Sequence, residues 1–187
     1  MTAGFRKGSE RSIYRGRIID VAIGEFFTPD GERLERELVH HQGAVSVVPI
    51  VGDEVVLVRQ YRPALDLELL EIPAGLRDVA GESAERTAER ELAEEIGMHP
   101  GHLEHLCSFF NAAGFSDEKI EIFLATDLTP VPQDTQSAEE AHMTVERVRL
   151  DDVAGLIASG ELCDAKSIIG LLLAIQRRSD HASSADT

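Results

Sequence analysis

The chain has 187 residues, of which 43% are hydrophobic, and a formal net charge of −16. That length fits one domain, or one domain with a small added sheet, and the apolar share supplies a real core, which excludes wholesale disorder. The acidic balance excludes nonspecific nucleic-acid binding, which needs a basic surface against phosphates, but not a small phosphate compound bridged to carboxylates by a divalent cation.

Ile13–Val21, Glu25–Phe27 and Leu34–His40 read as strands, with turn chemistry in Thr28-Pro29-Asp30-Gly31-Glu32. Gly43–Val51 is a nearly continuous apolar run that suits a buried central strand, although Pro49 cannot donate to a ladder. Gly52-Asp53 turns into Glu54–Tyr61, a hairpin partner, and Leu67–Pro73 is a short strand ending at Pro73-Ala74-Gly75. A helix follows, with Ser83 as N-cap, Ala84, Ala88, Leu92 and Ile96 recurring every fourth residue, and Gly97 as its stop. His105–Asn111 and Lys119–Thr126 are strands, Asp127–Ala141 is a mobile loop long enough to suggest function, and Met143–Leu150 is a strand. Helices over Asp151–Ser159 and Ala165–Arg178, the second capped by Asp164, close the fold, and the tail SDHASSADT is expected to be disordered. Strands, helix, strands, helices, without internal repeats, indicate an α/β fold with a mixed sheet between helices. Residues 1–42 form an appended antiparallel β segment too small for a core of its own, 43–178 the main domain, and 179–187 the tail.

No apolar run approaches the roughly 18 residues that cross a bilayer. The opening MTAGFRKGSERSIYRGR lacks the apolar stretch of a secretory signal, and Cys107 and Cys163 have no CxxC spacing. A cytoplasmic protein without a membrane partner is the expectation.

The chemistry concentrates on the first helix. Glu91 and Glu95 share a face one turn apart, with Glu94 beside them, and like charges at that spacing weaken a helix unless a cation sits among them. Oxygen ligands without Cys or His nearby point to Mg²⁺ or Mn²⁺ rather than zinc. Arg90 can hold a neighbouring carboxylate through paired hydrogen bonds.

Glu82, Arg90, Glu91, Leu92, Glu94, Glu95, Gly97 and Met98 fall at the spacings of G-x5-E-x7-R-E-U-x-E-E-x-G-U, where U is aliphatic. The chain thereby resembles the Nudix hydrolases, with one departure: six residues, not five, separate Gly75 from Glu82. The resemblance implies an α/β/α sandwich and metal-dependent hydrolysis of a nucleoside diphosphate derivative. It implies Glu91 and Glu95 as principal metal ligands, Glu94 and Glu82 around further ions or their waters, and the Ala74 carbonyl completing the site. Metal there would polarise the phosphate and lower the pKa of an attacking water.

Beyond this signature, Gln60-Tyr61-Arg62, Glu71-Ile72-Pro73-Ala74-Gly75 and Gly114-Phe115-Ser116-Asp117-Glu118 resemble elements of the ADP-ribose pyrophosphatase group. That resemblance implies Arg62 pairing with a phosphate, and Leu76, Gly114, Phe115 and Ser116 contacting substrate. Arg62 also reads as an ordinary surface arginine, and Phe115 as a core anchor. The loop Glu139-Glu140-Ala141-His142 corresponds to the one that carries a catalytic glutamate; Glu140 is the first candidate and Glu139 the second. Ala113 stands where the group has a proline, which keeps GDP-mannose or another nucleotide sugar as a competing substrate. The N-terminal strands suit the group's intertwined homodimer, with Phe26 and Phe27 read either as adenine contacts or as core. His40 and His41, neighbours on a strand, point to opposite faces and read as structural. Cys107 reads as a small core residue. The leading reading is hydrolysis of ADP-ribose to AMP and ribose 5-phosphate. A nucleotide-sensing module without turnover and a house-cleaning nucleoside triphosphatase are the alternatives.

Overall fold

The computed structural model describes residues 4–133 and 142–185, with backbone alone for 181–185. The chain divides into two compact units, one comprising Met1–Gly43 and Phe109–Lys119, the other Ala44–Ser108 and Ile120–Thr187.

The first unit is an antiparallel sheet in the order β1 (Arg6–Arg15), β2 (Ile19–Phe27), β3 (Arg33–His41). The continuous strand expected over Ile13–Val21 is broken by a turn in which the Gly16 amide donates to the Ile19 carbonyl at 2.9 Å. The residues on both sides are β-formers, so periodicity alone hid the reversal. The polar run RKGSERS, which carries no alternation, is the outer part of β1 and is exposed throughout. The segment from Phe109 joins this unit through β3: Val39 N–H donates to Phe115 O at 2.8 Å, and Asp117 N–H to Val39 O at 3.2 Å. The first unit therefore takes in a piece of the chain that the expected boundary at residue 42 left out.

The second unit is built on β4 (Ala44–Val51), β5 (Glu54–Arg62), β6 (Leu67–Glu71), β7 (Ala74–Leu76), α1 (Ala84–Ile96), β8 (Met98–His99), β9 (His102–Phe110), β10 (Lys119–Thr126), β11 (Thr129–Pro130), β12 (Thr144–Arg149), α2 (Val153–Ser159) and α3 (Ala165–Ala185). Its main sheet runs β12-β5-β4-β10-β9, with β6 beside β5 and β7 beside β4. β4 and β10 are parallel and the β4–β5 hairpin antiparallel, so the sheet is mixed.

β4 is apolar at almost every position because both of its faces are covered. Val45 and Val47 pack with Val56, Val58, Phe123 and the Ala88, Leu92 and Ile96 stripe of α1. On the other face Gly170 of α3 lies against Val48, Ile122 and Ile72. Pro49 is tolerated in this central strand because β4 pairs β7 only over Ala44–Ser46 and β5 only at Ile50–Val51. The proline falls in the gap between the two partners, where no ladder amide is needed.

α1 begins and ends where its sequence signals stand. Ser83 Oγ accepts from the Arg86 amide at 3.3 Å, and Gly97 takes a left-handed φ of 64° while its N–H bonds back to Ala93 O. Two expectations are corrected. The stretch from Asp127 is not all loop, since β11 pairs with β8 as a two-stranded sheet too short for periodicity to reveal. α3 does not stop at Arg178 but continues to Ala185, because Ala and Ser there offer no breaker.

Candidate active site

The buried stripe of α1 consists of Ala84, Thr87, Ala88, Glu91, Leu92, Glu95 and Ile96. Five of these fit an amphipathic helix against a sheet, whereas Glu91 and Glu95 place carboxylates on the core-facing side, 7% and 5% exposed. Burial first, and then the charge of Glu91, push the Glu95 carboxyl up to about 8, against the opposing pull of the Ala74 amide, Lys166 and Arg62.

β7 carries the facing wall. The Ala74 N–H donates to Glu95 Oε2 at 3.0 Å, and Gly75 lies so close to Glu91 that an added Cβ would come 1.8 Å from its carboxyl carbon. Any side chain at position 75 would evict the Glu91 carboxylate. Leu76 follows on β7, and its carbonyl accepts from Arg90 Nη2 at 3.4 Å.

Arg90 is the hub of the cluster. Its Nη1 lies 2.7 Å from Glu91 Oε1 and 3.1 Å from Glu94 Oε2, and its Nη2 lies 3.3 Å from Glu82 Oε2. The extra residue between Gly75 and Glu82 is absorbed in a tight turn, with the Glu82 amide on Val79 O at 3.1 Å. Glu82 still reaches Arg90 and accepts from Thr87 Oγ1 at 2.9 Å. Burial works to raise the Glu82 carboxyl, but the bonds from Thr87 and Arg90 outweigh it and hold the group below the usual range. Glu82, Glu91, Glu94, Glu95, Arg90, Ala74 and Leu76 are thus brought together by one helix, the turn that precedes it and one short strand.

Arg90 draws three carboxylates to itself, and no three His, Cys, Asp or Glu side chains among the described residues enclose a cation in this arrangement. The donor set nevertheless fits a hard divalent ion. All its ligating atoms are oxygens, two of the carboxylates are buried at mutual electrostatic cost, and Gly75 leaves the space before Glu91 clear.

Arg62, at the end of β5, is half-buried and grips Glu71 with two bonds of 2.6 Å. Glu71 and its second partner Lys166 are buried, and neither had been singled out for a role. Glu71 opens the Glu71–Gly75 motif, but nothing in the local sequence marks its pairing, since Lys166 meets it across 95 residues.

Gly114, Phe115 and Ser116 lie in the first unit, in a turn whose Phe115 and Ser116 amides both bond to Ala112 O. Ala113 is exposed in that turn, and so is Phe115, which is therefore not a core anchor. The loop is clamped to β3: Asp117 accepts from the His41 amide at 2.9 Å and meets His40 Nδ1 at 2.6 Å. His40 Nε2 reaches Glu10 on β1 at 3.1 Å, so the histidine pair plays a structural part. Phe27 lies under the Arg6 guanidinium at 4.0 Å. Cys107 is half-buried and its thiol is pushed up by burial. Glu139 and Glu140 lie outside the described residues. No described helix is long and apolar enough to cross a membrane.

The NUDIX domain model matches residues 40–168. The chain is 34% identical to ADP-ribose pyrophosphatase of Bacillus subtilis (strain 168) over 160 residues, covering 85% of this chain and 86% of that protein. It is 36% identical to ADP-ribose pyrophosphatase of Mycobacterium tuberculosis over 169 residues, covering 90% and 82%. The crystal structure of an ADP compounds hydrolase superposes with a TM-score of 0.84 at 25% identity, over 95% of both chains. A buried Glu91–Glu95 pair facing a glycine, an arginine gathering the other acids, and this match of domain, relatives and fold have one meaning: the chain belongs to the NUDIX family and is a hydrolase.

Proposed function

We propose that the chain hydrolyses ADP-ribose to AMP and ribose 5-phosphate with Mg²⁺, or Mn²⁺ in its place, as cofactor. The observation that carries this reading is the paired burial of Glu91 and Glu95 against β7, an arrangement that costs stability without a cation and favours binding one. The substrate is supported by the two pyrophosphatase relatives and by the Arg62 and Gly114–Glu118 elements.

When bound, the metal supplies charge neutralisation for the diphosphate oxygens and lowers the pKa of an attacking water. The chain's own groups do the rest. Glu91, Glu95, Glu94, Glu82 and the Ala74 carbonyl would hold the cofactor, and Arg90 fixes the spacing of Glu82, Glu91 and Glu94. Arg62 takes a phosphate oxygen, with Leu76, Gly114, Phe115 and Ser116 as substrate contacts. Glu140, or Glu139 in its place, accepts the proton of a water whose oxygen bonds to phosphorus as the bridging P–O bond breaks. The acting form is a homodimer, supported by the exposed Phe5, Ile13, Tyr14, Ile18 and Ile19 of the first unit. Two free thiols suit a reducing cytoplasm.

A second reading, a nucleotide-sugar pyrophosphatase, is favoured by Ala113. Product formation from ADP-ribose, GDP-mannose, NADH and dGTP, with Mg²⁺ and with Glu95→Gln and Glu140→Gln beside the wild type, separates the two. Preference for ADP-ribose that is lost in Glu95→Gln supports the first; turnover confined to GDP-mannose replaces it with the second. Binding without hydrolysis of any compound would sink both and leave a sensor.

A further inference from the structure

Arg62 is engaged with a buried acid. Glu71, 1% exposed at the end of β6, takes the Arg62 Nε–H on one oxygen and an Nη2–H on the other. A guanidinium has five N–H donors in a rigid fork, so three remain on the edge turned away from Glu71. With one cation for a fully buried carboxylate, that arginine would be bound to Glu71 alone, because a desolvated anion takes whatever charge it can reach.

A second cation changes the balance. Lys166 Nζ, in the first turn of α3, also donates to Glu71 Oε2 and lies 2.8 Å from Asp164 Oδ2. Asp164 is fixed in turn: its Oδ2 accepts from the Ser167 amide at 3.0 Å and from Ser167 Oγ at 2.6 Å. Ser167 Oγ accepts from the Ile72 amide at 2.9 Å, which ties the helix start to the residue following Glu71. Two acids and two bases are thus linked in series from the α3 N-terminus to Arg62. Glu71 stands three residues before Ala74, whose amide donates to Glu95 Oε2 at 3.0 Å, which sets the series beside the carboxylate cluster.

We infer that Lys166, held by Asp164, is a positioning residue for substrate: it satisfies Glu71 so that Arg62 can present its outer N–H edge to the diphosphate. This rests on the proposed diphosphate hydrolysis and names the device that keeps an already paired arginine available to a second anion. Lys166 touches no substrate atom. Its effect travels through Glu71 to the direction of one guanidinium.

The test measures KM, kcat and Tm of the full chain for wild type, Arg62→Ala, Lys166→Met, Lys166→Arg and the double variant Glu71→Gln/Lys166→Met. The substrate is ADP-ribose or, if the wild type leaves that intact, whichever panel compound it does hydrolyse. Failure of the ADP-ribose reading shows in the wild type alone, whereas the positioning role is read from ratios of variants to wild type. Lys166→Met should raise KM about tenfold or more with a smaller change in kcat, the loss of one charge-assisted bond to phosphate, and Arg62→Ala should do the same. Lys166→Arg should restore part of the loss. The double variant removes one charge of each sign and should recover Tm while KM stays high, because Arg62 has lost its anchor. If KM follows Tm through the series, or if Arg62→Ala leaves KM unchanged, Lys166 is only a structural ion pair and the inference falls.

Discussion

Glu95 sits on the buried stripe of α1 with the Ala74 amide on its carboxylate, and Glu91 one turn away opposes any charge it takes on. Its folded pKa, about 8, lies above the unfolded value of 4.5, so the folded chain holds a proton that the unfolded chain releases. The group's contribution to metal-free stability is fully present below 4.5 and is lost as pH rises towards 8. Glu95→Gln keeps the shape and does not titrate. In EDTA, the calorimetric stability of that variant should therefore gain on wild type between about pH 5 and pH 8, by a few kcal/mol at most and seen as a higher relative Tm, and saturating Mg²⁺ should reverse the order. Parallel curves would remove the argument. The spacing of the acids was legible because a helix repeats every few residues, so residues 91, 94 and 95 carry their geometry in their numbers. Glu71, Lys166 and Asp164 were not legible as a unit, because their pairing exists only after β6 and α3 meet.

α1 was readable to the residue because its signals are local: a serine cap, a four-residue apolar recurrence and a glycine stop. The first-unit strands were not. Polar, exposed β1 has no periodic signature, and the turn at Gly16 lies within a run of β-formers. The Gly114–Glu118 loop was recognised as an element, but what holds it was not. Asp117 takes His40 and the His41 amide, Glu10 takes His40 and Lys7, and Glu118 lies 3.7 Å from His41. The bond to Asp117 raises the His40 pKa more than burial lowers it, and Glu10 adds to the rise. Burial lifts Asp117, but His40 and the His41 amide bring it below its usual value. The charged clamp is thus present above the unfolded pKa of Asp117 and below that of His40, and it fades as pH rises through the raised folded pKa of His40. Hydrogen exchange at the Val39 and Asp117 amides, corrected for intrinsic rate, should lose protection on that upper side. Asp117→Asn should flatten the profile; an unchanged profile in the variant would show that His40 does not hold the loop.

At the scale of the molecule, the mixed sheet with helices on both faces followed from the order of elements, since β4 could be apolar throughout only if covered twice. The division into units did not follow, because Phe109–Lys119 returns to a sheet begun at the N-terminus. In the proposed homodimer, the exposed Ile13, Tyr14 and Ile18 assign association to this unit. Light scattering should give about twice the 20.4 kDa of one chain, and Ile13→Asp with Ile18→Asp should halve the measured mass. A wild type that runs as a monomer would end the dimer reading. The clamp between His41 and Asp117 spans 76 residues, and this has a bearing on the chain's birth. At ordinary translation speeds the loop that completes β3 leaves the ribosome roughly 4 to 15 s after the strand itself. For that interval the nascent sheet has its Val39 backbone groups and apolar side chains in place without the segment that finishes it. The sheet of β1 to β3 is thus finished by a segment made well after it, through contacts distant in sequence, which are the slow ones to form.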